Sequence, residues 1–199
     1  MDENDQAEQL HPGHRSLRIP GFDYTAAGLY FVTICSYQKQ CTFGKVKGIS
    51  VELTPLGRIV RECLLEIPRH FARAQLHEFA VMPNHLHFIL GLVGRTTDDA
   101  AIGNDRREEF KTQGTCRDGA QRAAPLGVVA GSLGAIARSF KAAVSRRARV
   151  ELRWGGEIWQ KNYFERLIRD GKEYADTARY VVENPMRWGL DEENPDSRG

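Results

Sequence analysis

Two histidines stand two residues apart inside one apolar run, Val81-Met-Pro-Asn-His85-Leu-His87-Phe-Ile-Leu90, and no other stretch of the chain constrains its fold as tightly. Side chains alternate faces along a β-strand, so Leu86, Phe88 and Leu90 share one side, while His85, His87 and Ile89 share the other. The first side can be core. The second presents two imidazoles at a spacing fixed by the strand, from which their nitrogens can converge on one divalent cation. The same pattern also suits two ordinary hydrogen-bonded polar residues, so the pair alone leaves both readings open. Other metal classes are excluded by what is missing. A zincin helix needs His-Glu-x-x-His and a zinc ribbon needs Cys-x-x-Cys pairs. Cys35, Cys41, Cys63 and Cys116 supply no such pair, and a histidine-triad hydrolase needs a third histidine where this chain has Ile89.

Hydrophobic periodicity places this strand within a larger order. Leu29–Gln38 reads as a first strand, and Pro55–Ile67 as a helix with Leu56, Ile59, Val60, Cys63 and Leu64 on its apolar face. Leu76–Met82 and His85–Leu92 read as a strand pair, Ser132–Arg149 as a second helix, and Ile158–Ile168 as a last strand. The order β-α-β-β-α-β predicts an α+β, ferredoxin-like (RRM-like) antiparallel sheet with helices on one face, followed by a further C-terminal helix. At 199 residues one domain over 15–190 suffices, with residues 1–14 and 191–199 as tails. Residues 93–127 have few large apolar side chains and no sustained period, which predicts a long exposed insertion.

That C-terminal helix, read over 172–184, sets Tyr180 and Asn184 at i and i+4, on one face and one turn apart, with Pro185 expected to close it. An ordinary amphipathic packing role for Tyr180 is the plainer alternative. Tyr174 lies about 120° away around such a helix, and Tyr163 sits in the preceding strand. Neither has a polar ligand candidate one turn later. Tyr24, Tyr30 and Tyr37 lie in or near the first strand and read as core, edge or stacking residues. In the second long helix Ser132 can cap the N-terminus, and Leu133, Ile136, Phe140 and Val144 form an apolar stripe. Arg138, Lys141 and Arg149 recur on another face, which suits phosphate contact beside the site.

Charge supports a polyanionic partner without requiring one. The formal net charge is +2, but residues 1–9 carry four acidic groups and residues 191–199 a net of three, which leaves +9 on 10–190. No apolar run approaches the roughly 18 residues of a membrane span, and the acidic start lacks the basic region of a signal peptide. A cytoplasmic protein with reduced cysteines and no membrane partner is therefore expected.

Taken together, Met82-Pro-Asn-His-Leu-His87, Trp159-Gln-Lys-Asn-Tyr-Phe-Glu-Arg-Leu-Ile-Arg169-Asp and Tyr180-Val-Val-Glu-Asn-Pro-Met-Arg-Trp188-Gly resemble the single-tyrosine HUH transposases. The branch they resemble is the REP-associated tyrosine transposases. The resemblance extends to Leu17–Tyr24, Gly28–Ile34, Phe43-Gly44 and Ser132–Lys141, and so covers most of 15–190 apart from about 93–127. It implies a ferredoxin-like fold with Tyr180 as the nucleophile toward single-stranded DNA. It further implies a 5′-phosphotyrosine and a free 3′-hydroxyl as products, and His85, His87 and Asn184 as ligands of Mg²⁺ or Mn²⁺. The partner it implies is a DNA hairpin with an adjacent guide sequence, and no nucleotide cofactor is expected. Whether the protein acts as a monomer or a homodimer stays open.

The chemistry of the reactants agrees with that expectation. A phenol has a pKa of about 10 and a phosphodiester is an anion, so attack at neutral pH is opposed by protonation and by charge repulsion. A divalent cation on a non-bridging oxygen offsets that charge, and neutral imidazoles with an amide oxygen leave the cation its full positive charge. Imidazole also suits zinc. Two rival functions use the same residues: a catalytically idle protein that binds DNA or RNA hairpins, and a metal phosphodiesterase that activates water.

Overall fold

The computed structural model describes residues 26–94, 131–190 and Asn194. The two tails, Leu17–Tyr24, Cys116 and most of the expected insertion lie outside the described residues. The elements run β1 (Gly28–Cys35), β2 (Gly44–Lys47), β3 (Ser50–Leu53), α1 (Pro55–Leu65), α2 (Ile67–His70), β4 (Ala74–Val81) and β5 (His85–Leu92). After the undescribed stretch come α3 (Leu133–Glu151), β6 (Phe164–Ile168), α4 (Gly171–Glu183) and a 3-10 segment over Asn184–Leu190. The main sheet has the order β4-β5-β1-β6 with every neighbour antiparallel. With β2 and β3 set aside as a separate hairpin, this is the ferredoxin-like order the periodicity predicts.

Alternation along β1 and β5 sorts the interior into two layers. Tyr30, Val32 and Ile34 of β1, with Leu86, Phe88 and Leu90 of β5, join Ile59, Val60 and Leu64 of α1 and Ile136, Phe140 and Val144 of α3 in the larger core. Phe31 and Ile89 point the other way and pack with Ile168, Met82 and Val181 of α4 in a smaller one. The sheet is therefore covered on both faces, and every residue of β5 is buried. Both long helices of the larger core have oxygen caps: Thr54 Oγ1 accepts from the Gly57 amide and Ser132 Oγ from the Ala135 amide.

The structure departs from the sequence reading at three places. The hairpin β2–β3, absent from that reading, comes between β1 and α1 in the chain. The first strand ends at Cys35, not Gln38, because Gln38 and Lys39 take left-handed backbone (φ 52° and 54°) in a tight turn. The last strand begins at Phe164 and not at Ile158. Before it, Tyr37 N–H donates to Ile158 O at 2.8 Å and Gln160 N–H to Cys35 O at 3.1 Å, so the chain runs beside the end of β1 without forming a regular ladder. As expected, the α-helix closes just before Pro185. Asn184 keeps helical backbone (φ −53°, ψ −43°), and the chain tightens into the 3-10 turns. Among the described residues no helix is long and apolar enough to cross a membrane.

One close approach locks the hairpin to α1. A Cβ on Gly57 would lie 1.9 Å from the main-chain oxygen of Phe43, which leaves room for glycine alone although the position is helical. Gly57→Ala should therefore destabilise the protein by about 3 kcal/mol or more despite alanine's better helix propensity. Gly171, which opens α4 with nothing within 4 Å of its would-be Cβ, should tolerate alanine with no loss. Denaturant unfolding of the two variants gives the comparison, and equal midpoints would refute the close approach.

Candidate active site

The histidine face is built by strand register. In the antiparallel pairing of β1 with β5, Thr33 stands opposite His87, Cys35 opposite His85 and Phe31 opposite Ile89. Thr33 Oγ1 and His87 Nδ1 are 2.8 Å apart. Asn84 Oδ1 and His85 Nδ1 are 2.9 Å apart, while the Asn84 amide nitrogen donates to Lys39 O at 3.1 Å. That second bond orients the Asn84 amide, so His85 Nδ1–H donates to its oxygen and the lone pair of His85 resides on Nε2. The two ring centroids are 4.4 Å apart.

This face is buried: His85 is 0% and His87 5% exposed. The cover is α4 with the following 3-10 turns, which bring Val181 onto the sheet and Trp188 to within 6.1 Å of the His85 ring centroid. Burial holds the His87 pKa down to about 3. Burial, and then the neighbouring His87 and Lys39, hold His85 well below the usual histidine range. Both imidazoles are thus neutral at pH 7, the form that offers lone pairs to a metal.

Tyr180 reaches the pair from α4. Its phenolic oxygen is 3.4 Å from His87 Nε2, and its ring lies 5.4 Å from the His87 ring and 6.1 Å from Phe31. It is also 41% exposed. Asn184 sits one turn further along the same helix face and is 2% exposed, with Oδ1 buried and without a hydrogen-bond partner. Leaving such an oxygen unpaired costs roughly 1–3 kcal/mol. Among the described residues no cluster of three or more His, Cys, Asp or Glu could hold a metal. The donor set available here is mixed, two imidazole nitrogens and one amide oxygen, all neutral. It fits a divalent cation with open coordination positions.

Two polar anchors hold the tyrosine helix against the sheet. On one side the register of β4 shifts between Leu76 and Phe79, and Tyr174 bonds to both residues of that irregularity. Its hydroxyl donates to Glu78 Oε2 at 2.9 Å and lies 3.3 Å from His77 Nδ1. The bond to Glu78 pushes the Tyr174 phenol up from its ordinary pKa. Tyr174 is thereby a strut and a poor nucleophile. On the other side Arg166 of β6 pairs with Glu173 and donates to Thr177 Oγ1 at 3.0 Å, with its guanidinium 5.9 Å from the Phe31 ring centroid. Glu173 also accepts from the Arg169 amide at 2.8 Å, and Asp170 caps the helix by accepting from the Glu173 amide.

The basic residues expected beside the site lie elsewhere. Their helix, α3, packs on the opposite face of the sheet from the histidines. Arg138 and Arg149 are exposed there. Lys141 serves the fold instead. Its ammonium donates to Gln160 O at 2.8 Å and Asn162 O at 2.9 Å, and burial pushes its pKa down to about 8. Sequence reasoning missed Asn84, Thr33 and Arg166. Asn84 adjoins His85 and could have been flagged as an orienting amide, whereas Thr33 and Arg166 become relevant only once the strand register is known.

No protein-family model matches the chain. An uncharacterized protein of Haemophilus influenzae is 34% identical over 179 residues, 89% of this chain and 91% of that protein. A second Haemophilus influenzae protein, named "Putative REP-associated tyrosine transposase", is 26% identical over 167 residues, 84% of this chain and 75% of the relative. A solved REP-associated tyrosine transposase bound to a REP hairpin superposes over 92% of this chain and 77% of its own, with 16% identity and a TM-score of 0.48. The chain thus belongs to one family with the uncharacterized Haemophilus influenzae protein, and it resembles the REP-associated tyrosine transposases.

Proposed function

We propose that the protein is a metal-dependent nicking and strand-transfer enzyme acting on single-stranded DNA at hairpins, with Tyr180 as the nucleophile. The observation that carries this reading is Tyr180, a part-exposed residue whose phenolic oxygen lies 3.4 Å from a buried, neutral imidazole that is one of a pair. The similarity to a protein named as a REP-associated tyrosine transposase supports the same assignment.

In this reading His85, His87 and Asn184 hold a divalent cation, Mg²⁺ or Mn²⁺, which supplies charge neutralisation at the scissile phosphate when bound. Thr33 and Asn84 fix the two rings so that their Nε2 atoms face the tyrosine helix. The Tyr180 oxygen, having lost its proton, attacks phosphorus. The bond from phosphorus to the 3′-oxygen breaks, and that oxygen leaves with a proton as a free 3′-hydroxyl. The new phosphotyrosine ester retains the energy of the broken bond, so the 3′-hydroxyl of another strand can reverse the step without a nucleotide cofactor. The anchors at Tyr174 and Arg166 keep the attacking oxygen in place, where a misplacement of about 1 Å can cost roughly 100-fold in rate.

Incubating the full chain with Mg²⁺ and a pool of hairpins bearing single-stranded arms should produce a covalent protein–DNA species on denaturing gels. Tyr180→Phe should lose that species while keeping its fold and DNA affinity, and a hydrolytic or binding-only protein would not behave so. His87→Ala or chelator should abolish it, and Asn184→Ala should lower it only in part, since water can replace one neutral ligand. Full cleavage by His87→Ala in Mg²⁺ would refute the ligand assignment.

The two kinds of basic residue on α3 should separate cleanly. Arg138→Ala should weaken DNA binding and flatten its salt dependence by about 0.7 per lost phosphate contact while leaving the melting temperature unchanged. Lys141→Ala should lower stability by about 2 kcal/mol through loss of its two carbonyl bonds. An unshifted salt slope for Arg138→Ala would remove that face from the DNA contact.

A further inference from the structure

Between the C-terminal turns of α3 and the segments that follow β1 and precede β6 lies a cleft of about 680 Å³. Tyr37, Gln38, Arg149, Trp154, Gln160 and Lys161 are among its lining residues. Tyr37, Arg149 and Lys161 are exposed there. Trp154 Nε1 is buried without a hydrogen-bond partner, and a Cβ at Gly156 of the same lining would lie 3.5 Å from it. An indole N–H can only donate, so what completes it must bring an acceptor. Glu157 also lines the cleft, which makes it a poor trap for a free anion. Aromatic rings, carboxamides and two exposed cations lining one cleft suit a nucleobase with its attached phosphates.

Backbone strain points to the same place. Among the described residues, those other than glycine with positive φ are Gln38 (52°), Lys39 (54°) and Arg153 (53°). Gln38 lines the cleft, Lys39 follows it, and Arg153 immediately precedes Trp154. Left-handed backbone at such residues persists only where the surroundings enforce it, and it gathers at ligand sites. The cleft also adjoins the end of β1 that pairs with His85. Cys35 pairs with His85 across the strands, Gln160 N–H donates to Cys35 O, and Tyr37 lies two residues beyond.

We propose that this cleft is a second DNA subsite, which takes one unpaired nucleobase of the strand held at Tyr180, stacks it on Tyr37 or Trp154, and meets its phosphates with Arg149 and Lys161. The proposal rests on the single-stranded DNA reading given above. It gives the far end of β1 a role that the histidine centre does not perform, that of choosing which nucleotide lies a short span from the cut.

The test uses the full chain and hairpin oligonucleotides whose random single-stranded arms carry 5-iodouracil, irradiated and then mapped by mass spectrometry. Crosslinks should fall on Tyr37 or Trp154. Tyr37→Ala and Trp154→Phe should each lower affinity, the first by about tenfold, the order expected for one lost base stack. Phenylalanine is used at Trp154 because its ring packs against the larger core and alanine would remove that contact. Crosslinks confined to other residues, or native affinity in both variants, would overturn the proposal. The covalent species on the same oligonucleotides separates the two claims. If it forms without crosslinks in the cleft, only the subsite fails. If the cleft crosslinks and no covalent species forms, the subsite stands and the strand-transfer reading fails. Absence of binding to any oligonucleotide removes both.

Discussion

Two uncharged imidazoles buried under a helix set the terms for the rest of this structure. Neither ring could stay beneath α4 as a cation without several kcal/mol of desolvation, so their neutrality and their burial are one fact. Each ring is turned by a neighbour on the sheet side, His87 by Thr33 and His85 by Asn84. What remains of their hydrogen-bonding capacity faces the helix. The helix in turn carries Tyr180, whose phenol comes within hydrogen-bonding range of His87.

The cover over those rings is held in an unusual way for a small domain. Of the thirteen residues of α4 only Thr177 and Val181 are buried, so apolar burial contributes little to docking it. Polar bonds from its N-terminal half take over, through Tyr174 to the irregular stretch of β4 and through Glu173 and Thr177 to Arg166 of β6. A helix fixed through its N-terminal half can leave Tyr180, further along it, part-exposed, as the proposed attack on a macromolecular substrate requires. Removing either anchor should act on the position of Tyr180 before it acts on the larger core, which lies on the other face of the sheet.

The fold was legible in the sequence because its period-2 and period-3.6 patterns are strong where the core is thickest, in β5, α1 and α3. The histidine pair and Tyr180 were legible for the same reason, since strand alternation and helical spacing fix their faces without knowledge of tertiary contacts. What was not legible depends on register or on single bonds. Thr33 becomes relevant only when β1 is set opposite His87, and the burial of the histidine face appears only when α4 is folded onto it. Lys141 looked like a phosphate-binding residue on a basic face, yet its ammonium is committed to two carbonyls that lie 19 and 21 residues further along the chain. Pro185 closes the α-helix as its missing amide requires, whereas the 3-10 turns beyond were not legible because proline forbids one α-helical bond without forbidding that tighter path.

The central claim is that one phenol, and not merely one protein, carries the DNA. Proteolysis of the covalent species followed by mass spectrometry identifies the modified residue directly. The account predicts a nucleotide on Tyr180, attached through a 5′-phosphate. A nucleotide on Tyr163 or Tyr174, or none on any tyrosine, would contradict it.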